Sequence, residues 1–336
     1  MGEGNLCEFT PSCTVVICTR DRPMLLERCL EAVSRLVYPK FDVLVVDNAP
    51  RDGRSREVAA RAGVQYVVEP KVGLSRARNR GARACHTEII AYLDDDAVPE
   101  PEWLSGLAQE FVDPLVMAAA GLVLPLRVET EAERLCVAIG GAESGSKERL
   151  VVDSQVPLWF EIANFGGIGI GANMAVRRSA FDVWPGFHER LDSGVVLDGS
   201  GEHYAFFQLI DRGFRVVYAP CAVVRHPLPR TMEFFRARYL KDRAVSTGYL
   251  TLLFFEEPRY RRETVKYVIK VLKDTPRTWR DQRVSPLSRS ISPRWRSLLA
   301  YLSGPLLYLW SRLSHAPRLG SDLDAWRAID LDERVR

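Results

Sequence analysis

The chain has 336 residues, 47% of them hydrophobic and 26% charged, with a formal net charge of +3. These values exclude wholesale disorder and leave room for one large domain with an appendage. Charge is uneven along the chain: residues 1–229 hold 24 Lys and Arg against 31 Asp and Glu, whereas residues 230–318 hold 19 against 7, so an acidic body and a basic segment are expected.

The predicted elements begin with CTVVICT (13–19), a β-branched run that reads as a buried strand. A helix over 23–36 follows, with Pro23 near its start. Strands over 41–47, 64–69 and 87–94 then alternate with helices over 53–63, 74–85 and 101–112. That rhythm implies right-handed βαβ units and a mainly parallel α/β sheet flanked by helices. From 114 the rhythm changes. A buried strand is expected over 114–126, an irregular stretch over 127–163, and a glycine loop with a short strand over 165–181. A helix over 199–213 and a strand followed by a loop over 214–227 complete the body. Beyond 230 the chain reads as basic helices over 231–258, 261–274 and 292–313. The expected organisation is a tail (1–12), a catalytic domain (13–229, its halves meeting near 125), a basic helical extension (230–318) and a second tail (319–336).

Seven cysteines occur, none in a Cys-x-x-Cys pair, which fits reduced thiols. The N-terminus lacks the basic and apolar regions of a signal peptide, so a cytoplasmic location is the expectation. The uncharged part of 292–313 is short and interrupted by Gly304-Pro305, so it is not read as a membrane span.

In a parallel sheet, ligands bind beyond the carboxyl ends of the strands. Thr19, Arg20, Asp47 and Asp94-Asp95-Asp96 stand at those ends. Three adjacent carboxylates repel one another unless something positive sits among them. Asp94 and Asp96, two apart, can offer oxygen ligands to Mn²⁺ or Mg²⁺, or can cap a turn. Asp47 can meet a nucleotide edge or cap a turn. RARNRGAR (76–83) brings forked guanidinium groups suited to phosphate, or else a solvated helix face. Glu202 and His203 open a helix, where a carboxylate is a favourable dipole partner or a general base for a hydroxyl nucleophile. His226, at a strand end, is either structural or a third metal ligand.

Taken in order, VVICTRDRP (15–23), VLVVDNAP (43–50), VGLSRARNRG (72–81), YLDDDAVPEPEWL (92–104), GIGANMAVRRSAF (169–181), GSGEHYAF (199–206) and APCAVVRH (219–226) resemble the family 2 glycosyltransferases with the GT-A fold. The resemblance covers about two thirds of the chain. It implies transfer of a sugar from a nucleotide-diphosphate donor to an acceptor hydroxyl, assisted by Mn²⁺ or Mg²⁺ and usually with inversion. It implies that Thr19, Arg20, Arg22, Asp47, Arg78, Asp94 and Asp95 bind the donor. Asp94, Asp96 and His226 become the metal ligands, and Gly171, Ala172 and Asn173 the acceptor side.

The family commonly has Glu-Asp where this chain has Glu202-His203, and the Asp is the usual base. Glu202 as base with His203 assisting, His203 as base, and an altered, base-free catalysis that could be retaining are the three alternatives; the first is favoured. A nucleotidyltransferase and a non-catalytic sugar-binding scaffold are the competing whole-protein readings. The basic segment 230–318 suits an anionic membrane or lipid-linked acceptor, or a helical extension packed on the domain. No nucleic-acid-binding motif is present.

Overall fold

A computed structural model describes residues 10–138, 148–280 and 294–314. The two terminal tails expected at 1–12 and 319–336 lie almost wholly outside the described residues. Strands β1 (Cys13–Thr19), β2 (Phe41–Asn48), β3 (Gln65–Glu69) and β4 (Ile89–Asp94) pair in parallel in the order β3-β2-β1-β4. Helices α1 (Pro23–Val33), α2 (Arg54–Arg61) and α3 (Leu74–Ala84) make the crossovers. The registers place Thr19 beside Asp47 and Cys18 beside Asp94, so these carboxyl ends form one edge.

The sheet then becomes mixed. β8 (Asn173–Arg177) runs antiparallel between β4 and β6 (Val116–Pro125), and β9 (Arg215–His226) returns parallel to β6. Two reversals restore the original direction, so β6 and β9 end on the same edge as β4. The short β5 (Val98–Pro99) pairs antiparallel with the end of β9, Val98 opposite Arg225. That pairing folds the aspartate turn back toward His226.

The strands have apolar residues on both faces because both are covered. Val16, Leu44, Val46 and Tyr92 belong to one core, while Val15, Ile17, Val45 and Leu93 belong to the other with Leu26 of α1 and Trp103 of α4 (Trp103–Ala108). The six cysteines among the described residues are free, five of them buried.

Two sequence expectations need correction. Residues 127–163, read as irregular, contain α5 (Glu131–Ala138), β7 (Leu150–Val152) and α6 (Trp159–Asn164), each too short to show a period. The strand-then-loop over 214–227 is instead one strand with an internal break. Gly121 pairs with Ala219, but Leu122 pairs with Val223, so Pro220 to Ala222 bulge out of the ladder. A bulge accommodates the proline that lacks an N–H for pairing.

The boundary expected at 229/230 is not a break in the core. Helix α7 (Gly201–Asp211) contributes Tyr204, Phe206 and Phe207 to a cluster that also contains Tyr249, Leu252 and Leu253 of α8 (Met232–Glu256). Tyr308 of α10 (Arg294–Ser314) joins it, whereas α9 (Arg261–Arg280) follows α8 at the periphery. Polar contacts fasten the same seam. Glu256 pairs with His188 at 3.5 Å and with Arg190, and Tyr204 donates to Glu257 at 2.5 Å.

Burial opposes the charge on Glu256, but His188 and Arg190 outweigh it and lower its pKa from 4.5 to about 2. A depressed carboxylate contributes stability that is present above its unfolded pKa and disappears as pH falls through the folded one. Unfolding free energy is therefore expected to fall between about pH 4.5 and pH 2, and Glu256→Gln should flatten that part of the curve in urea titrations. An unchanged slope in the variant would remove Glu256 from the account.

Candidate active site

A cleft of about 850 Å³ opens at the carboxyl edge of the sheet. Its floor includes Thr19, Arg20, Asp94 and Asp96; one wall is α3 with Arg78, and another is the start of α7 with Glu202. His226 and the N-terminal half of α8 close the remaining side.

Asp94, Asp96 and His226 offer one ligand atom each, all within 4.8 Å of one another. His226 Nε2 lies 3.1 Å from Asp96 Oδ1 and 3.6 Å from Asp94 Oδ2. Burial works against a charged His226, yet hydrogen bonds and charges from the two aspartates raise its pKa to about 10. Burial likewise opposes the charge on Asp94, but His226 and Arg78 hold its pKa below the usual value. His226 thus faces Asp94 and Asp96, while Arg22 and Arg78 bring further positive charge to the three adjacent aspartates. The donor set fits a divalent cation: two hard carboxylates suit Mg²⁺ or Mn²⁺, and an imidazole suits the transition metal better. Binding a cation through His226 would displace its proton.

Asp95 has a different role. It is fully buried, accepts from Thr19 Oγ1 at 2.7 Å, and pairs with Arg22 at 2.7 Å. Burial raises its pKa to about 7 against the opposing effects of Arg22 and Thr19. Arg22 also reaches Asp96 at 3.2 Å, so one guanidinium ties the middle and last aspartates together.

Arg78 is almost completely buried. It donates to Asp192 at 2.7 Å and to the Gly171 carbonyl at 3.0 Å, with Asp94 3.9 Å away. Burial disfavours its charge, but Asp192 and Asp94 more than compensate and raise its pKa. Asp192 further accepts from Ser75 of α3 at 2.9 Å and from the Gly201 N–H at 3.1 Å. A Cβ on Gly201 would lie 2.1 Å from Asp192 Oδ2, so only glycine permits this approach. Asp192 itself has φ +78, an unfavourable region for a non-glycine residue. These bonds join α3 to the first turn of α7 and so set the place of Glu202.

The other sequence candidates separate. Gly171 and Ala172 line the cleft, but Asn173 does not: it is fully buried, accepts from Trp103 Nε1 at 2.7 Å and donates to the carbonyls of Leu122 and Ala222. It is a core clamp between β6, β8, β9 and α4. His203 is also absent from the cleft lining, and its buried Nε2 has no hydrogen-bond partner among the described residues. Asp47 is fully buried and does not line the cleft; its Oδ2 accepts from Tyr66 at 2.8 Å, and Oδ1 has no hydrogen-bond partner among the described residues. Burial raises its pKa, against the lowering by Tyr66. Asn48, not singled out from the sequence, does reach the cleft and holds the following loop through the Gly73 N–H at 2.9 Å and the Lys71 carbonyl at 2.7 Å. Also missed were Asp192 and the cleft-facing residues Arg238, Lys241 and Asp242 of α8. The strand-end rule finds Asn48, whereas the others carry no local signal.

An α/β sheet with an aspartate-histidine cluster at its carboxyl edge puts a candidate metal site where ligands of such sheets bind. The Glycosyl transferase family 2 description matches residues 14–184, more than half of the chain, and the chain belongs to that family. It is 28% identical over 217 residues to the pre-mycofactocin glycosyltransferase of Mycobacterium tuberculosis (strain CDC 1551 / Oshkosh), covering 63% of this chain and 42% of that protein. It is 28% identical over 258 residues to an N-acetylglucosaminyltransferase of Mesorhizobium japonicum, covering 73% of this chain and 58% of that one. The chain thus spans about half the length of these relatives. Among solved structures, the mannosyltransferase PcManGT from Pyrobaculum calidifontis, in complex with GDP-Man and Mn²⁺, superposes with a TM-score of 0.54 at 18% identity. That match covers 98% of this chain and 88% of the other, and it shows a shared fold.

Proposed function

We propose that this chain transfers a sugar from a nucleotide-diphosphate donor to an acceptor hydroxyl, with inversion and with a divalent cation at Asp94, Asp96 and His226. The observation that carries the reading is the convergence of those three side chains at the floor of the cleft. When bound, the cation would neutralise charge growing on the diphosphate leaving group. Around it, Arg20 and Thr19 line the donor side, and Arg78 keeps the carboxylates in place. Gly171 and Ala172, with the facing surface of α8, shape the acceptor side.

Glu202 is the base in this reading. It faces the cleft from the first turn of α7, whereas His203 does not line it. A carboxylate there takes the proton from the acceptor hydroxyl as that oxygen attacks the anomeric carbon and the nucleotide diphosphate departs.

The first test is thermal stability with UDP, GDP, TDP or CDP, each with Mn²⁺, Mg²⁺ or EDTA. A ligand at 100 times its dissociation constant adds about 2.7 kcal/mol. One diphosphate is expected to stabilise the protein only with metal. Glu202→Gln should keep that stabilisation and lose transfer by about a hundredfold or more. Full transfer in Glu202→Gln would move the base elsewhere, and no stabilisation by any diphosphate would count against the transferase reading itself.

A further inference from the structure

Helix α10 is inside out. Ser297, Gly304 and Ser311 are buried on its inner face, spaced seven residues apart, with Tyr308 beside them. Trp295, Leu299, Leu302, Leu306, Trp310 and Leu313 form a stripe on the outer face, each between 56% and 86% exposed. A helix on the surface of a globular domain ordinarily has the reverse arrangement.

The inner face explains the inversion. A Cβ on Gly304 would lie 2.0 Å from Thr247 Oγ1 and 2.4 Å from the Gly248 nitrogen of α8. Thr247 Oγ1 donates to the Tyr301 carbonyl across the seam at 2.7 Å. The two backbones approach so closely that only small residues fit between them, a mode of packing used by helices whose other faces meet lipid. A continuous stripe of six exposed large apolar side chains marks an interaction surface.

Charge selects the occupant. Helix α10 contains no Asp or Glu, with Arg294 and Arg296 at one end and Arg312 at the other. The Arg296 guanidinium lies 5.2 Å from the centre of the Trp295 ring. Helix α9 adds Arg261, Arg262 and Lys266, against Glu263, to the same basic segment, while its Lys270 pairs with Glu161. A second copy would bring like charges together, whereas anionic headgroups would complement them. Among the described residues no helix is long and apolar enough to cross a membrane. We propose that the outer face of α10 is a docking surface for an anionic lipid bilayer, with the helix lying in the headgroup layer.

This proposal does not depend on the sugar-transfer reading. The test is co-sedimentation of the full chain with phosphatidylcholine vesicles, with and without phosphatidylglycerol. The protein is expected to sediment with the anionic vesicles, and Leu302→Gln/Leu306→Gln/Trp310→Gln should weaken that binding about tenfold or more. The melting temperature and nucleotide-diphosphate binding of the variant should match those of the parent, which separates this proposal from the transferase reading. Arg296→Glu is a second variant, expected to weaken binding without touching the apolar stripe. Absence of sedimentation with either vesicle overturns the proposal, as does wild-type binding by both variants. A dimer in light scattering that the triple variant dissociates assigns the face to a second copy and also overturns it.

Discussion

Asp96→Ala is expected to lower sugar transfer by at least about a hundredfold and to abolish the metal-dependent part of nucleotide-diphosphate stabilisation. The aspartate stands between His226 at 3.1 Å and Arg22 at 3.2 Å, so its carboxylate is shared by the cation site and the clasp on Asp95. Removing it leaves Asp94 and His226, a set with one fewer hard carboxylate oxygen and one fewer negative charge for a diphosphate-bound cation. The defect should be specific to metal. In EDTA, the variant and the parent should show the same small response to each diphosphate. Isothermal titration with Mn²⁺ and the favoured diphosphate provides the check. Metal-dependent nucleotide binding of unchanged strength in Asp96→Ala would show that the triad is an ion-pair cluster and not a cation site.

Asp192→Ala is expected to destabilise the fold by about 3–5 kcal/mol, because it leaves the buried Arg78 guanidinium without its closest counter-charge. Both side chains are almost completely excluded from solvent, at 4% and 6% exposure, so water cannot take the place of the lost partner. The remaining neighbours, Asp94 at 3.9 Å and the Gly171 carbonyl, compensate only in part. Arg78→Met combined with Asp192→Ala should recover much of the loss, since no unpaired charge then stays buried. Urea unfolding of the two single variants and the double variant measures this directly. Additive effects would mean that the two side chains act independently. Because Asp192 also fixes the Gly201 N–H, the single variant should lower transfer beyond its effect on stability, through the position of Glu202.

The same two positions show how unevenly the site could be read in advance. Asp96 is visible in the chain as part of a carboxylate cluster after an apolar strand, and periodicity is enough to put that strand end on the ligand-binding edge. Asp192 sits in the segment LDSG, with no hydrophobic period or recognisable spacing around it. Its partners Ser75 and Arg78 are more than a hundred residues earlier, and only the packing of α3 against the start of α7 brings them together. Asn173 shows the converse: it follows a glycine loop on the cleft, but strand alternation turns its side chain inward to Trp103.

By itself, the sequence determined the βαβ half, the strand ends that carry Thr19, Asp47 and Asp94, and the family, because buried strands and amphipathic helices are written in local apolar periods. The tertiary structure alone decided that β8 reverses between β4 and β6, that β9 bulges at Pro220 and still delivers His226 to the aspartates, and that α8 lines the cleft. It also decided that α10 turns its leucines outward, since that depends on how closely Gly304 meets Gly248. Each of these is a long-range contact between segments whose own residues suit several arrangements, and only the packing of the whole chain selects among them.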